Sequence, residues 1–465
     1  MGQNKQTWIW VLGCGLAGLG LMACVGVFAA AAALITIRQI SPTRVAEENT
    51  LPPQAIPLEE TNLLPDTSPP LNDNSLSVNR IVYIDADGQI ITIAPDGQDA
   101  RQITEGNLRF QFPAWSPDGQ HLAAIAGNRQ GGGVFVLEDV ADSPQIELYR
   151  NSSNYPIYLY WSPNGQQVSF LAGHEEEGSA LHLANADGST TNTLVSTGSP
   201  FYWDWLNDGL QLFVHSGVTG NGARLTLMDT AGNADAVNLA EPGYFQSPGL
   251  SATGRYLAYG SVANNQHRLV IQDRETQEEV SVQHQGFVAL SWSPVAEQLA
   301  FTSPMNREDV SFGPLRLMTA TTGAVQELDT GPVFAFFWSP DGQAIAYLTF
   351  PSTQMEDEVQ LPGKGVWARP QLQHDELQLE LRVVNVATGQ RRILLQFAPT
   401  DLFLTQFLPF FDQYALSHSL WSPTSDALVL PALDKEGDPY LLIAPLDGSL
   451  PRPLAEGVMA FWSQQ

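Results

Sequence analysis

The chain has 465 residues, enough for one large domain or several small ones, and its 49 acidic against 21 basic residues give a formal net charge of −28. That balance excludes nucleic acid and anionic lipid headgroups as partners of the globular part, and leaves basic proteins, cations and neutral ligands. Both cysteines, Cys14 and Cys24, precede the globular region, so neither a disulfide nor a thiolate metal site can staple it.

In chain order, residues 1–7 are expected as a short cytoplasmic N-terminus, followed by thirty uncharged residues over 8–37. As a helix this stretch would be about 45 Å long against a hydrocarbon core of about 30 Å, so a single transmembrane helix is expected. Trp8 and Trp10 fall where an interfacial aromatic belt would lie. Two competitors stay open. A cleaved signal peptide would have a shorter apolar region, and Leu21-Met22-Ala23-Cys24 resembles a lipobox, although the chain stays apolar after Cys24. Gly13, Ala17, Gly20 and Cys24 have the small-xxx-small spacing of paired membrane helices, which an Ala/Gly-rich span also gives by chance. Lys5 opposes Arg38 and Arg44 across the span, and the favoured orientation is N-terminus inside with the rest extracytoplasmic. Residues 38–78 hold seven prolines and no apolar periodicity, the composition of an extended, disordered tether.

Beyond residue 78 the chain is a repeat array. Trp-Ser-Pro-Asp-Gly stands intact at Trp115 and Trp338; Trp161, Trp205, Trp292 and Trp421 keep parts of it, Leu250 heads a weaker copy, and the chain stops just after Trp462. The gaps between anchors are 46, 44, 45, 42, 46, 83 and 41 residues, close to one four-stranded propeller blade. Within a unit the anchor ends strand A, Asp-Gly makes a tight turn into strand B, and two further apolar runs supply C and D. The tryptophans read as packing residues between blades. The first unit (81–104) has B, C and D but no A, and the last (458–462) has only an A. Pairing the two would complete one blade and close a ring, protecting the edges an open array would expose. The expected fold is all-β: a propeller of eight four-stranded blades, or seven if Leu250 is not an anchor.

These repeats resemble those of the TolB-like propeller family over roughly residues 79–465. The resemblance implies the fold and not one function, because relatives include partner-binding periplasmic proteins, gating propellers of peptidases and polysaccharide lyases.

The 83-residue gap carries two insertions, 351–379 between strands B and C and 397–420 between D and the next A. Both emerge at the same end of a blade, so they are expected to build one raised patch beside the central channel. The first is polar, with Glu356, Asp357, Glu358, Trp367 and His374; the second is aromatic, with Phe403, Phe407, Phe410, Phe411 and Tyr414. Trp367 and these five rings are the candidate partner-binding residues, against the alternative that the rings pack down as a satellite core.

His174, His215, His267, His284, His374 and His418 map to the same end. Lyase relatives use histidines in a metal-dependent site there, but here the six lack short ligand spacing and read as solvated loop residues. Asp85-Ala86-Asp87-Gly88 resembles the start of a calcium loop without its distal Glu, and reads as a turn. No catalytic, nucleotide or metal motif is found, so no cofactor is expected. The sequence therefore points to a membrane-anchored, extracytoplasmic protein-binding or scaffold module of the cell envelope. The alternatives are a glycan-active lyase or hydrolase, or a ligand-sensing domain, using the channel mouth.

Overall fold

The computed structural model describes residues 79–190, 192–217, 222–230, 237–304, 313–351 and 377–464. The expected membrane span at 8–37, the tether at 38–78, and Trp367 with most of the first insertion lie outside these residues. Among the described residues no helix is long and apolar enough to cross a membrane.

The described chain forms six four-stranded antiparallel sheets and one seven-stranded sheet, an arrangement consistent with a β-propeller. Its local cause is the repeated turn. At the end of strand Arg109–Trp115, the Ser116 carbonyl accepts from the Gly119 N–H at 2.9 Å and the Ser116 hydroxyl oxygen accepts from the His121 N–H at 2.9 Å. Gly119 sits at φ +67°, in the left-handed region that a side chain disfavours. Gly165, Gly209, Gly254 and Gly342 repeat this conformation, and Ser425 takes it at φ +60° where the glycine is missing. Ser251 makes the same turn after Leu250, whose two-residue strand Gly249–Leu250 pairs with Tyr256–Ala263 at the edge of its own four-stranded sheet.

The anchors then join one sheet to the next. The indole N–H groups of Trp161, Trp338 and Trp421 donate to the carbonyls of Ala114, Ser291 and Phe337 at 3.0, 3.1 and 3.0 Å. Each acceptor lies one residue before the preceding anchor, so the repeat period itself sets the inter-sheet joint. Trp205 reaches Ser169 Oγ instead, at 3.1 Å. All the tryptophan anchors are buried except Trp338, which is half-buried.

Burial follows strand position. The B strand His121–Asn128 and the C strand Gly131–Glu138 are buried along nearly their whole length, because both sheet faces meet neighbouring sheets. The outer strand Glu279–Gln283 alternates exposed and half-buried, as a solvated edge requires.

At the chain ends, Met459–Trp462 pairs antiparallel with Ile81–Ile84, placing Ile81 opposite Trp462. The seven-stranded sheet arises where Arg391–Pro399 pairs with Ala427–Leu433 through Ala398 and Pro399. There the anchor Trp421 has no strand of its own and makes a single bridge to Leu428.

Candidate functional site

The second insertion explains that irregularity, because the chain between Pro399 and Trp421 turns away from the sheets and coils. A π-helical turn, Phe403–Phe407, runs into a 3-10 turn, Leu408–Phe410, and a single α-turn, Phe411–Tyr414. Phe403, Phe407 and Phe411 recur every fourth residue and so share one face of the coil. That face is buried. Phe403 and Phe407 are wholly enclosed and Phe411 and Tyr414 nearly so; Phe410 is half-buried.

The partners of this segment lie on the first strands of the sheets around it. Phe407 meets Phe337 and Phe461 at ring-centroid distances of 6.0 and 5.6 Å, and Phe411 meets Phe336 at 5.2 Å. Tyr414 packs on Phe112 at 4.8 Å and on Tyr158 at 5.2 Å. The Gln413 side chain accepts from the Trp203 N–H at 3.1 Å and donates to the Trp203 carbonyl at 2.9 Å, a substitute for a missing strand partner. The Tyr158 hydroxyl donates to the Gln413 carbonyl at 2.8 Å, and Asp412 Oδ2 accepts from the Ser247 N–H at 3.4 Å. The α-turn also packs against Ala289–Trp292. His418 Nε2 bonds the carbonyl of Phe112, a residue held at φ +47° in a bulge of its strand, at 3.1 Å, and Ser417 Oγ bonds His418 Nδ1 at 2.6 Å. Residues 400–418 therefore fill the middle of the molecule.

This corrects the expectation of an exposed aromatic contact patch. Phe403, Phe407, Phe411 and Tyr414 face inward because the inner strands of several sheets leave an apolar hollow that only an inserted segment can fill, and burying each ring is worth about 1.5–3 kcal/mol. The signal for it was the four-residue spacing, a helical period in a chain otherwise patterned for strands.

The filled centre also perturbs ionisation. Burial raises Asp412 to about 7, against the opposing N–H groups of Ser247 and Gln413. Burial likewise raises Asp204, which accepts from Leu250 N–H at 2.9 Å, to about 7. His418 is pushed down to about 4 by burial, opposed by the Phe112 carbonyl. A carboxyl whose folded-state pKa is raised contributes stability that is fully present below its unfolded pKa and is lost as pH rises through the folded value. Asp412→Asn is therefore expected to cost less stability in urea melts at about pH 8 than at about pH 5. Equal costs at both would mean the carboxyl is already ionised at the lower pH.

The histidines also differ from the solvated loop residues expected. His215 is fully buried, stacked on Phe245 at 4.1 Å with Nδ1 bonded to the Gln246 carbonyl at 2.8 Å. His284 and His418 are buried, His174 and His267 are half-buried, and His374 lies outside the described residues. Among the described residues no group of three His, Cys, Asp or Glu side chains is gathered for a metal.

Antiparallel sheets grouped around a shared central segment define a β-propeller with a filled centre. No family model and no curated protein matches the chain. Solved structures similar to it include an oligogalacturonate lyase in complex with manganese, at 13% identity over 77% of this chain and 86% of that one, with a TM-score of 0.46. A putative TolB from Agrobacterium tumefaciens is 18% identical over 57% of this chain and 95% of its own (TM-score 0.36), and TolB from Acinetobacter baumannii 14% identical over 68% and 63% (TM-score 0.38). These are likenesses of fold; the activity of each belongs to that protein.

Proposed function

We propose that the chain is a closed eight-bladed propeller, held at a membrane by residues 8–37 and set off from it by residues 38–78, that acts as a protein-binding or scaffold module of the cell envelope. The seven-stranded sheet counts in this reading as two blades sharing an edge, with Trp421 as the reduced inner strand of the second. The observation that carries the functional reading is the filled centre. Because residues 400–418 occupy the space inside the inner strands, a partner has the end loops and the rim to contact, and not a through-channel. The polar insertion 351–379 with Trp367, which joins the strands Ala344–Thr349 and Leu379–Asn385, is the proposed contact element; the buried rings of 403–414 are not.

The test is a pull-down from detergent-solubilised membranes, comparing the wild type with a variant whose residues 351–379 are replaced by a short Gly/Ser hairpin. A protein that co-purifies with the wild type and is lost from the variant is the expected result. The same proteins with both, or none with either, would overturn the reading.

A further inference from the structure

The seam around Leu250 lacks the joint made at Trp161, Trp338 and Trp421, where an anchor indole donates to the carbonyl one residue before the preceding anchor. Leu250 has no indole to send back to the preceding sheet. On its other side the Trp292 indole N–H, whose acceptor the repeat would place on Gly249, is buried and without a partner, as are those of Trp115 and Trp462. The inner strand Gly249–Leu250 is two residues long, against five in Phe201–Trp205 before it and four in Ala289–Trp292 after it.

Two carboxyls stand in for the missing joint. Asp204 occupies the position one residue before the anchor Trp205, and its Oδ2 accepts from the Leu250 N–H at 2.9 Å. Asp412, on the central segment, accepts at Oδ2 from the Ser247 N–H at 3.4 Å. Two different elements thus hold one short stretch of chain, 247–250. Asp204 is 5% exposed and Asp412 2%, and among the described residues neither pairs with a cation. Their remaining oxygens meet the Tyr160 hydroxyl at 3.3 Å and the Gln413 N–H at 3.0 Å. A carboxylate enclosed without a counter-charge is costly, whereas a neutral carboxyl still accepts from the N–H and escapes that cost.

We propose that Asp204 and Asp412 form a proton-controlled latch on the sheet that begins at Gly249–Leu250: while both carboxyls are neutral the sheet is held, and their ionisation releases it locally. Burial raises both to about 7. Each therefore contributes stability that is fully present below the unfolded-state value of about 3.9 and is lost as pH rises through about 7, so the latch holds in mild acid and loosens above neutrality. The groups facing it do not compete. Burial pushes up the Tyr158 and Tyr160 hydroxyls, from strand Pro156–Trp161, and that of Tyr414, and pushes His418 down to about 4. It also pushes His215, which bonds the Gln246 carbonyl beside Ser247, down to about 4. All five stay neutral across the range, and Ala289–Trp292 and Ala335–Trp338, which also pack on Phe411–Tyr414, carry no titratable side chain. The latch is independent of the scaffold reading.

The test is hydrogen exchange of the full-length protein, read by mass spectrometry at about pH 6 and about pH 8 and corrected for the intrinsic pH dependence of amide exchange. Protection over residues 247–260 is expected to fall about tenfold for each carboxyl that ionises, while residues 335–349, where Trp338 makes the indole joint, keep theirs. Asp204→Asn and Asp412→Asn keep an acceptor oxygen without the titration, so each is expected to reduce the fall and the double variant to abolish it. Equal protection of 247–260 at both pH values overturns the proposal on the wild type alone, whatever the variants do. An equal fall in 335–349 also overturns it, since the loss is then global, as does a fall that persists in a folded double variant.

Discussion

Phe407→Ala is expected to cost about 3–5 kcal/mol of stability, read as a fall in the urea midpoint at unchanged slope. The ring is wholly buried and touches four others: Phe403 at 5.2 Å, Tyr414 at 5.1 Å, Phe461 at 5.6 Å and Phe337 at 6.0 Å. Two of these are its own segment; Phe461 and Phe337 belong to the inner strands of different sheets. Truncation therefore opens a cavity where those sheets meet, and the helical turn beneath it has no side-chain cap to hold its shape. Phe410→Ala is the internal comparison, since that ring is half-buried three residues away. It is expected to cost clearly less. If the two variants lost the same stability, or Phe410→Ala lost more, the centre would not be packed as described.

What could be read in the sequence was what is local. Ser116, Asp118 and Gly119 specify their turn within six residues of chain, because a hydroxyl, a carboxylate and a left-handed glycine suffice. Leu250 was legible as an anchor for the same reason: Ser251 and Gly254 keep the turn although the indole is gone. The partner of Met459–Trp462 followed from what the first unit lacked. The fate of residues 397–420 was not legible, because whether a row of Phe faces a partner or the protein depends on a hollow that exists only once several sheets have assembled. His215 was missed likewise. Its burial comes from Phe245, thirty residues on in the connection before Gly249–Leu250, and nothing in the strand Gln211–Ser216 that carries it reports that stack. The one signal left unread, the spacing of Phe403, Phe407 and Phe411, is a local one.

The joint between two neighbouring sheets leads to the second large effect, about 2–4 kcal/mol for Asp329→Ala. Asp329 is 4% exposed on the outer strand Val325–Val333, and its ring of partners comes largely from the following sheet. Tyr347 donates its hydroxyl at 2.6 Å and Arg391 lies at 3.1 Å, while Gly331 N–H, on its own strand, donates at 2.7 Å. Removing the carboxylate strands the Tyr347 hydroxyl, which is wholly buried, and takes one counter-charge from Arg382 at 3.8 Å. Arg391 is half exposed, so its share is at most about 1 kcal/mol, and the greater part of the cost lies with the tyrosine. Asp329→Asn keeps an acceptor for Tyr347 and is expected to lose less than the alanine variant. The pH dependence runs opposite to that of Asp412. Burial raises the Asp329 pKa, but the Tyr347 and Gly331 hydrogen bonds and Arg391 outweigh it and hold the carboxyl below its ordinary value. Its contribution is thus present above the unfolded-state pKa of about 3.9 and is lost as pH falls below it. The cost of Asp329→Ala should accordingly shrink in melts taken below about pH 4; a cost independent of pH would assign the joint to packing and not to charge.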